Sequence, residues 1–401
     1  MATTSEPEQG TLPLLAGDFY GYEHLLSDDD RALVARVRAF AEREIAPIVQ
    51  EHWARAEFPH ALIPKLAELD VVGLGYHRTD RPAASRLLSS FVSMELARVD
   101  ASIATFFGVH SGLAMGSIVQ CGSEEQQARW LPAMFRLEKI GAFALTEPHG
   151  GSDVARGLET TARRDGDDWV LNGQKRWIGN GTFADHVVVW ARDVEDDHVK
   201  GFVVAKGTPG LTAMKMEGKL ALRIVQNADI VLDDCRVPEA DRLQRASSFR
   251  DTGRVLQMTR GGVAWSAVGC MMGAYEAAVE YAQERVQFGR PIGRFQLMQD
   301  HLTRMLGDIT ASLGMAVRVA QLQDASACRD EQAALAKLFC TERLREAVAR
   351  ARELFGGNGV LLENKVARFW NDAEALYSYE GTREINTLIV GRAITGMGAF
   401  V

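Results

Sequence analysis

Apolar residues in the first part of the chain recur with the period of an amphipathic helix. A single helical face is defined by the positions i, i+4, i+7 and i+8, and it is occupied by Leu33, Val37, Phe40, Ala41 and Ile45. Ser27 precedes three aspartates and can cap this helix, where negative charge is stabilising. Pro47 should end or kink it, because proline lacks the N–H. Similar patterns continue to Phe135 and predict a helical region.

The pattern changes at about Ala142, where short β-branched and aromatic runs alternate with turn residues. The runs lie at Trp169–Leu171, Arg176–Ile178, Val187–Trp190, Phe202–Ala205 and Ile230–Leu232. Asn172-Gly173 separates two of them and is a strong signal for a hairpin turn. This region is therefore predicted to form an antiparallel sheet or a small barrel.

Beyond Arg250 the helical period returns and persists. One apolar stripe predicts the buried face of a bundle helix and comprises Leu335, Leu338, Phe339, Leu344, Val348, Ala351 and Phe355. No Gly-x-Gly-x-x-Gly follows a strand, which argues against a doubly wound nucleotide-binding domain. The predicted fold is α+β, with a loose N-terminal segment (1–25), an N-terminal helical domain (26–141), a middle antiparallel β domain (142–250) and a C-terminal four-helix bundle (251–401).

Composition narrows the functional class. The 401 residues are 47% hydrophobic and 24% charged, as in soluble globular proteins. A net charge of −8 argues against a nucleic-acid partner, because phosphate neutralisation needs a basic surface. The five dispersed cysteines lack metal-ligand spacing and suggest reduced thiols. No apolar run approaches the roughly 20 residues of a membrane span, and residues 1–17 do not resemble a signal or transit peptide. We therefore expect a cytoplasmic protein without a metal site.

Four segments carry residues suited to chemistry. Ala144–Asp153 joins a strand end to a glycine-rich loop whose hydroxyls and N–H groups suit a flavin ring or pyrophosphate; a plain turn is the alternative. Arg285–Gln296 offers an arginine with bidentate reach to a diphosphate, or a solvated helix end. Leu354–Gly359 places glycines at a helix end, as a C-cap or as a close approach to a ligand. In Tyr379–Asn386, Glu380 precedes Gly381 and is accessible, although a structural glutamate remains the alternative.

In this order, the four segments resemble the acyl-CoA dehydrogenase family, and the resemblance extends from the first helix to Gly396. The ending Tyr379–Phe400 is similar to the glutaryl-CoA dehydrogenase branch. Lys175–Asp185 and Arg223–Asn227 are similar to plant short-chain acyl-CoA oxidases. The resemblance implies the family's helical–β–helical fold, FAD as the cofactor and an acyl-CoA substrate.

The resemblance also assigns residues. It implies Glu380 as the general base, because the alternative position in some branches, just before Arg260, is here Thr259. It implies FAD contacts by Thr146, Gly151, Ser152, Trp177, Gly179, Arg285, Gln287, Phe288, Gln296, Glu353, Gly357, Thr382 and Glu384. It implies substrate contacts by Ser152, Arg260, Tyr379 and Gly381. A helix salt bridge is the alternative for Arg260, and a core tryptophan is the alternative for Trp177.

The implied reaction is α,β-dehydrogenation of a short-chain acyl-CoA to the trans-2-enoyl-CoA. Glu380 would take the α-proton, the β-hydrogen would leave as hydride to flavin N5, and electrons would pass to an electron-transferring flavoprotein. A glutamate in water, with a pKa of about 4.3, is too weak a base, so desolvation should raise that pKa. In the family, the segments around Arg285 and Gly357 reach FAD across a subunit boundary, which predicts a homotetramer.

Two positions depart from the family's common pattern. Glutaryl-CoA dehydrogenases carry an arginine for the far carboxylate of the substrate, and an ungapped alignment places Ala104 there. A buried carboxylate without a partner costs several kcal/mol, so glutaryl-CoA is disfavoured. Dehydrogenases usually have threonine where Gly179 stands, whereas the oxidase-like sequences have glycine. A short-chain acyl-CoA oxidase that uses O₂ is therefore the alternative function.

Overall fold

The computed structural model describes residues 17–399. Of the predicted loose segment 1–25, residues 1–16 lie outside the described residues. Tyr22–Leu25 form a 3-10 turn. The Asp18 carboxylate accepts hydrogen bonds from the backbone N–H groups of Tyr22 (2.8 Å) and Glu23 (2.7 Å) at the start of this turn. The chain therefore enters the first helix through an ordered turn.

The N-terminal region is helical, as predicted. Its helices are α1 (Asp28–Phe40), α2 (Ala46–Arg55), α3 (Leu62–Ala67), α4 (Arg86–Val99), α5 (Ala101–Phe107), α6 (Met115–Cys121) and α7 (Glu124–Phe135). Ser27 Oγ accepts a hydrogen bond from Asp30 N at 3.2 Å, which confirms the predicted cap. A π-helical turn at Ala41–Ile45 separates α1 from α2, and Pro47 lies in the first turn of α2. The predicted interruption at Pro47 is therefore present.

Helices α5 and α6 form one continuous stretch through a π-helical segment, Gly108–Ala114. π-helical segments are rare and frequently lie at functional sites. Within residues 17–399, Ala101–Cys121 alone is long and apolar enough to cross a membrane by length and composition, and more than half of it is buried inside the protein. The expectation that no apolar run comes near this length is corrected here, and the apolar residues serve core packing.

The middle region forms one sheet. Its strands are β1 (Gly141–Ala144), β2 (Thr161–Asp165), β3 (Asp168–Ile178), β4 (His186–Asp193), β5 (Val199–Ala205), β6 (Leu211–Lys215) and β7 (Ala228–Pro238). The order is β1-β4-β2-β3-β7-β6, with β5 also paired to β4. Strand β4 runs parallel to β1 and β2, whereas the other pairs are antiparallel. The predicted antiparallel sheet is therefore confirmed for four of the six strand pairs; the two parallel pairs were not predicted, because the alternation of apolar residues does not encode strand direction.

The Asn172-Gly173 dipeptide lies inside β3, so the predicted hairpin turn at this point is wrong. The β2–β3 hairpin turns earlier, at Gly166, whose φ is 68°. At Gly173 φ is 148°, the register with β7 shifts, and an added Cβ would lie 2.7 Å from Thr160 Cα. The glycine marks a bulge at a close backbone approach, and the dipeptide alone does not distinguish this use from a turn.

The C-terminal region is helical, as predicted. Its helices are α8 (Phe249–Glu284), α9 (Gln296–Asp324), α10 (Asp330–Leu354), α11 (Lys365–Ser378) and α12 (Arg383–Thr395). A short hairpin of β8 (Val286–Gln287) and β9 (Arg290–Pro291) joins α8 to α9. Helix α8 packs against α9, α10 and α11, and α12 packs against α10.

The predicted apolar stripe on α10 is out of phase at its start. Leu335 is exposed, whereas Lys337 is completely buried. The buried face here begins with small residues and continues through Lys337, Cys340, Thr341 and Leu344. Lys337 therefore lies on the buried face of α10 although it carries a charge.

The three regions meet at Asp372 of α11. Its Oδ1 accepts hydrogen bonds from Trp53 Nε1 of α2 (3.0 Å) and from Leu222 N, in the loop between β6 and β7 (2.7 Å). Burial raises the pKa of this carboxyl to about 7. This junction fixes the helical regions and the sheet relative to one another.

Candidate active site

Glu380 lies in the tight turn between α11 and α12. Both Glu380 (φ 54°) and Gly381 (φ 87°) adopt the left-handed conformation. For a non-glycine residue this conformation costs about 1–2 kcal/mol. Thr382 Oγ1 accepts a hydrogen bond from Ile385 N at 3.3 Å and caps α12. The turn is therefore held at both ends, and its strained residue is the predicted base.

The Glu380 side chain reaches α8. Thr259 Oγ1 donates a hydrogen bond to Glu380 Oε2 at 2.9 Å. Burial raises the pKa of the Glu380 carboxyl, while the Thr259 hydrogen bond and the positive charges of Arg260 and Lys337 oppose this rise. Thr259 cannot act as the base, as the sequence predicted, but its hydroxyl orients the residue that can.

The opposite wall of this site is the continuous α5–α6 stretch. Thr105 Oγ1 lies 3.5 Å from the hydroxyl of Tyr379, and a Cβ added at Gly112 would lie 3.5 Å from Thr259 Cγ2. Tyr379 is held on this wall, and burial raises the pKa of its hydroxyl. Ala104 is buried on the same helix. This wall and α8 therefore enclose the Glu380 turn from two sides.

The middle region supplies the rim of the cleft. Arg176 N donates to Thr146 O at 2.8 Å, so the loop after β1 lies beside the end of β3. The next residue, Trp177, has φ 66° and is 54% exposed. Gly179 is buried, and an added Cβ would lie 3.0 Å from Val109 Cγ2, in the π-helical segment. Thr146, Trp177 and Gly179 are thus brought to the same face as the α5–α6 wall.

A buried ion pair supports the Thr146 loop. Lys175 Nζ lies 2.8 Å from Glu147 Oε1 and donates to Leu145 O at 3.1 Å. Glu147 also accepts hydrogen bonds from Glu159 N (2.6 Å) and Thr160 N (2.9 Å). Burial lowers the pKa of Lys175 to about 8, although the Glu147 charge opposes this change. The glutamate of the Thr-Glu-Pro string therefore fixes the loop and does not face the cleft.

Gly151 and Ser152 lie on the exposed turn beyond this loop. A Cβ built at Gly151 meets no atom within 4 Å, so the backbone here faces open space. Glu384 lies exposed in the first turn of α12, two residues beyond the Thr382 cap. Gly151, Ser152 and Glu384 are therefore all exposed.

The remaining predicted FAD contacts lie in a second group at the far end of α8. Arg285, Gln287 and Phe288 belong to the β8–β9 hairpin region, and Phe288 is 93% exposed. Gln296 begins α9. Arg285 follows Thr259 by 26 residues along α8, which corresponds to roughly 39 Å at 1.5 Å per residue.

Glu353 and Gly357 join this second group from the end of α10. Phe355 stacks on Tyr281 of α8, with the ring centroids 4.0 Å apart, and the Glu353 carboxylate lies 3.9 Å from His301 of α9. Gly357 is exposed, and an added Cβ would meet nothing within 4 Å. The sequence segments therefore form two separate surfaces within one chain.

Arg260 forms the ion pair expected of its alternative role. Its guanidinium pairs with Asp330 at the start of α10, and its contact with the substrate stays a prediction. Its charge nevertheless lies close enough to Glu380 to oppose the rise in the pKa of that carboxyl.

Sequence reasoning missed Lys337 and Lys175, and it missed the role of Thr259 as a hydrogen-bond donor. A signal existed for Lys337, because its spacing to Cys340, Thr341 and Leu344 is i+3, i+4 and i+7. The pairing of Thr259 with Glu380 spans 121 residues of chain and leaves no local signal.

The residues present fit a flavin dinucleotide. The exposed ring of Trp177 offers a flat surface, and Gly179 packs against Val109 of the α5–α6 wall, whose Gly112 lies next to Thr259. Gly151 and Gly357 leave open space in which a side chain would otherwise stand. A surface hollow of about 440 Å³ on the middle region contains none of these residues; it is lined by Arg164, Trp169, Asp193, Glu195, Asp196, Lys200 and Arg242.

Comparisons with known proteins identify the family of all three regions. Family profiles match residues 27–138 ("Acyl-CoA dehydrogenase, N-terminal domain"), 142–235 (middle domain) and 249–395 (C-terminal domain). The mitochondrial short-chain specific acyl-CoA dehydrogenase of Mus musculus is 33% identical over 370 residues, or 91% of this chain and 90% of that protein.

Solved structures give the same result. A glutaryl-CoA dehydrogenase from Mycobacterium smegmatis, in complex with FADH2, superimposes with a TM-score of 0.93 and 35% identity over 96% of this chain and 100% of that chain. Butyryl-CoA dehydrogenase from Megasphaera elsdenii has a TM-score of 0.88 and 31% identity over 92% of this chain and 98% of that chain.

Proposed function

The chain belongs to the acyl-CoA dehydrogenase family, and we propose that it converts a short-chain acyl-CoA to the trans-2-enoyl-CoA with Glu380 as the base. Members of this family are FAD-dependent oxidoreductases that act on CH–CH bonds. The observation that carries the proposal is the Glu380 carboxylate, held by Thr259 on a strained turn in the cleft between α8, the α5–α6 wall and the middle region.

Glu380 is suited to remove the α-proton of a thioester. Burial raises the pKa of its carboxyl, which makes the carboxylate a stronger base than an exposed glutamate. The Thr259 hydroxyl favours the ionised form and fixes its direction. The backbone N–H of Glu380 would polarise the thioester carbonyl, and such a donor contributes about 3–4 kcal/mol to the transition state.

FAD, when bound, supplies the acceptor for the β-hydrogen. Thr146, Trp177 and Gly179 would hold its ring beside the Glu380 turn, because they share the rim of the cleft. Trp177 would shield the exposed edge of the site from water. The buried Glu147–Lys175 pair keeps the Thr146 loop in place for this contact.

A short, uncharged acyl chain is the proposed substrate. The short-chain specific and butyryl-CoA enzymes among the relatives support this class. Glutaryl-CoA is disfavoured despite the close structural match to a glutaryl-CoA dehydrogenase, because position 104 is alanine. A terminal carboxylate would lack the arginine expected at that position.

We propose a homotetramer that passes electrons to an electron-transferring flavoprotein in the cytoplasm. Arg285 lies roughly 39 Å along α8 from Thr259, the residue that contacts Glu380, which is longer than an extended FAD molecule. The group around Arg285 and Gly357 would therefore contact the cofactor of another subunit. The large exposed apolar side chain of Phe288 supports such a contact.

The second candidate is a short-chain acyl-CoA oxidase. Gly179 carries no hydroxyl, and Val109 Cγ2 would lie 3.0 Å from an added Cβ, so a threonine does not fit this position without a shift of Val109. The absence of a threonine hydroxyl at position 179 is the feature that favours reaction with O₂.

The test follows flavin absorbance after anaerobic addition of butyryl-CoA and then after admission of air. We expect the wild type to bleach and to stay reduced in air; rapid return of colour with peroxide would favour the oxidase. Glu380→Gln should remain yellow and folded but lose flavin reduction by about 10²–10⁴-fold. Glu374→Gln, at a half-exposed acid of the preceding helix, is the matched control and should bleach normally. Normal bleaching of Glu380→Gln would exclude Glu380 as the base.

A further inference from the structure

Lys337 is a buried lysine that the reaction described above does not use. Its side chain is completely buried in α10. Its Nζ donates hydrogen bonds to the backbone carbonyls of Tyr377 (2.7 Å) and Gly381 (2.9 Å). These two carbonyls lie on either side of Glu380, three residues before it and one residue after it. A single ammonium group therefore joins both arms of the turn that carries the base.

The turn needs such a constraint. Glu380 has a left-handed φ of 54°, and a non-glycine residue keeps that conformation only when its surroundings over-determine it. Asn386 Nδ2 supplies further hydrogen bonds, to Gly381 O (2.8 Å) and Thr382 O (3.0 Å). Asn386 thus contacts only the C-terminal arm of the turn, whereas Lys337 connects both arms.

The charge of Lys337 is also directed at the base. The charged groups that face it are Glu380 on the turn, Arg260 on α8 and Glu384 on α12. Arg260 already forms an ion pair with Asp330. The acceptors of Lys337 are main-chain carbonyls, so its charge is not neutralised by them. The charge favours the ionised form of Glu380 and so opposes the rise in the pKa of that carboxyl that burial causes.

Burial works against the charge on Lys337. It lowers the pKa of this ammonium group to about 8, although Glu380 opposes the change. A buried lysine with no function is costly, and a methionine would fill the same volume in a helix without that cost. The position of the two carbonyl acceptors explains why a lysine stands here.

We propose that Lys337 is a positioning residue for Glu380: it clamps the Tyr377–Gly381 turn so that the carboxylate is directed at Thr259 of α8, and it places a positive charge beside that carboxylate. This inference rests on the proposed role of Glu380 as the base. Lys337 does not touch the reacting atoms, so it acts through the residue that does.

The test uses the FAD-loaded protein and compares Lys337→Met, which removes both the charge and the hydrogen bonds, with Lys337→Gln, which keeps N–H donors without the charge. The rate of anaerobic flavin reduction by butyryl-CoA is measured against pH. Lys337→Met should reduce flavin about 10- to 100-fold more slowly. Lys337→Gln should recover part of this rate. The acid limb is the part of the pH–rate profile in which the reduction rate falls as Glu380 becomes protonated. In both variants this limb should move to higher pH, because loss of a nearby positive charge raises the pKa of Glu380.

Lys200→Met is the matched control. Lys200 is a half-buried lysine of β5 that pairs with Asp193 and Asp196, so its loss changes the net charge equally but far from the turn. Its acid limb and reduction rate should equal those of the wild type. If Lys337→Met does not fold, Lys337→Gln alone decides the question, because the direction of its pH shift is the same.

The outcomes separate the two proposals. An acid limb that stays at the wild-type pH in both Lys337 variants would overturn the inference, whatever happens to the rate. If Glu380→Gln reduces flavin normally, the base assignment fails and this inference fails with it. If Glu380→Gln is inactive while the Lys337 variants keep the wild-type profile, only the role of Lys337 is lost.

Discussion

Lys175→Met should lower the free energy of unfolding by more than the loss of an exposed ion pair would, because the Lys175–Glu147 pair is buried. Both Lys175 and Glu147 are almost completely buried, and the two charges lie 2.8 Å apart. The substitution keeps the side-chain volume but leaves the Glu147 carboxylate buried without a cation. It also removes the hydrogen bond to Leu145 O, which holds the loop that carries Thr146.

The size of the destabilisation depends on the hydrogen bonds that Glu147 keeps. Glu159 N and Thr160 N still donate to its carboxylate, so the charge is solvated in part. Removal of one partner from a buried pair costs about 3–5 kcal/mol, and the remaining donors place the value near the lower limit. For a chain of 401 residues, this corresponds to a fall in melting temperature of about 4 °C, because the entropy of unfolding grows with chain length. Flavin should also be retained less well, because the Thr146 loop loses its anchor.

The assay is thermal unfolding of the FAD-loaded protein at pH 7 and at a fixed excess of FAD. Lys139→Met is the matched control, because Lys139 forms a half-exposed ion pair with Asp185 at 3.1 Å. A pair of that kind is worth about 0–1 kcal/mol. The double variant Lys175→Met/Glu147→Gln should melt above Lys175→Met, because no unpaired charge remains. A melting temperature of Lys175→Met equal to that of the Lys139→Met control would refute the reasoning.

Further predictions concern the base, the domain junction and the sheet. Thr259→Val should move the acid limb of flavin reduction to higher pH, because the Thr259 hydroxyl lowers the pKa of Glu380; an unchanged limb would contradict the hydrogen bond. Burial raises the pKa of Asp372 to about 7, above its unfolded value of about 3.9, so this group's contribution to stability is lost as pH rises between these values. Asp372→Asn keeps the Oδ1 acceptor and should show a smaller loss of urea stability from pH 5 to pH 8; an equal loss would contradict the assignment. Gly173→Ala should lower the free energy of unfolding by about 1–3 kcal/mol, because its Cβ would overlap Thr160; unfolding at the wild-type urea midpoint would argue against the close approach.

The sequence by itself determined the order of helical, strand-rich and helical regions, since helix and strand periods are local properties of the chain. It also identified Ser27 as a cap and Pro47 as an interruption, because both act within one turn of helix. The local context of Glu380 was consistent with a base or with a structural glutamate, and the resemblance to the family made it the base candidate.

Only the tertiary structure decided which residues meet. Thr259 and Glu380 are 121 residues apart in the chain, and no local pattern encodes that contact. The direction of the strands and the bulge at Gly173 depend on which strands pair with each other in the sheet. Lys337 is buried because the fold brings to it the two carbonyls of the Glu380 turn, which supply the acceptors that a buried ammonium group requires.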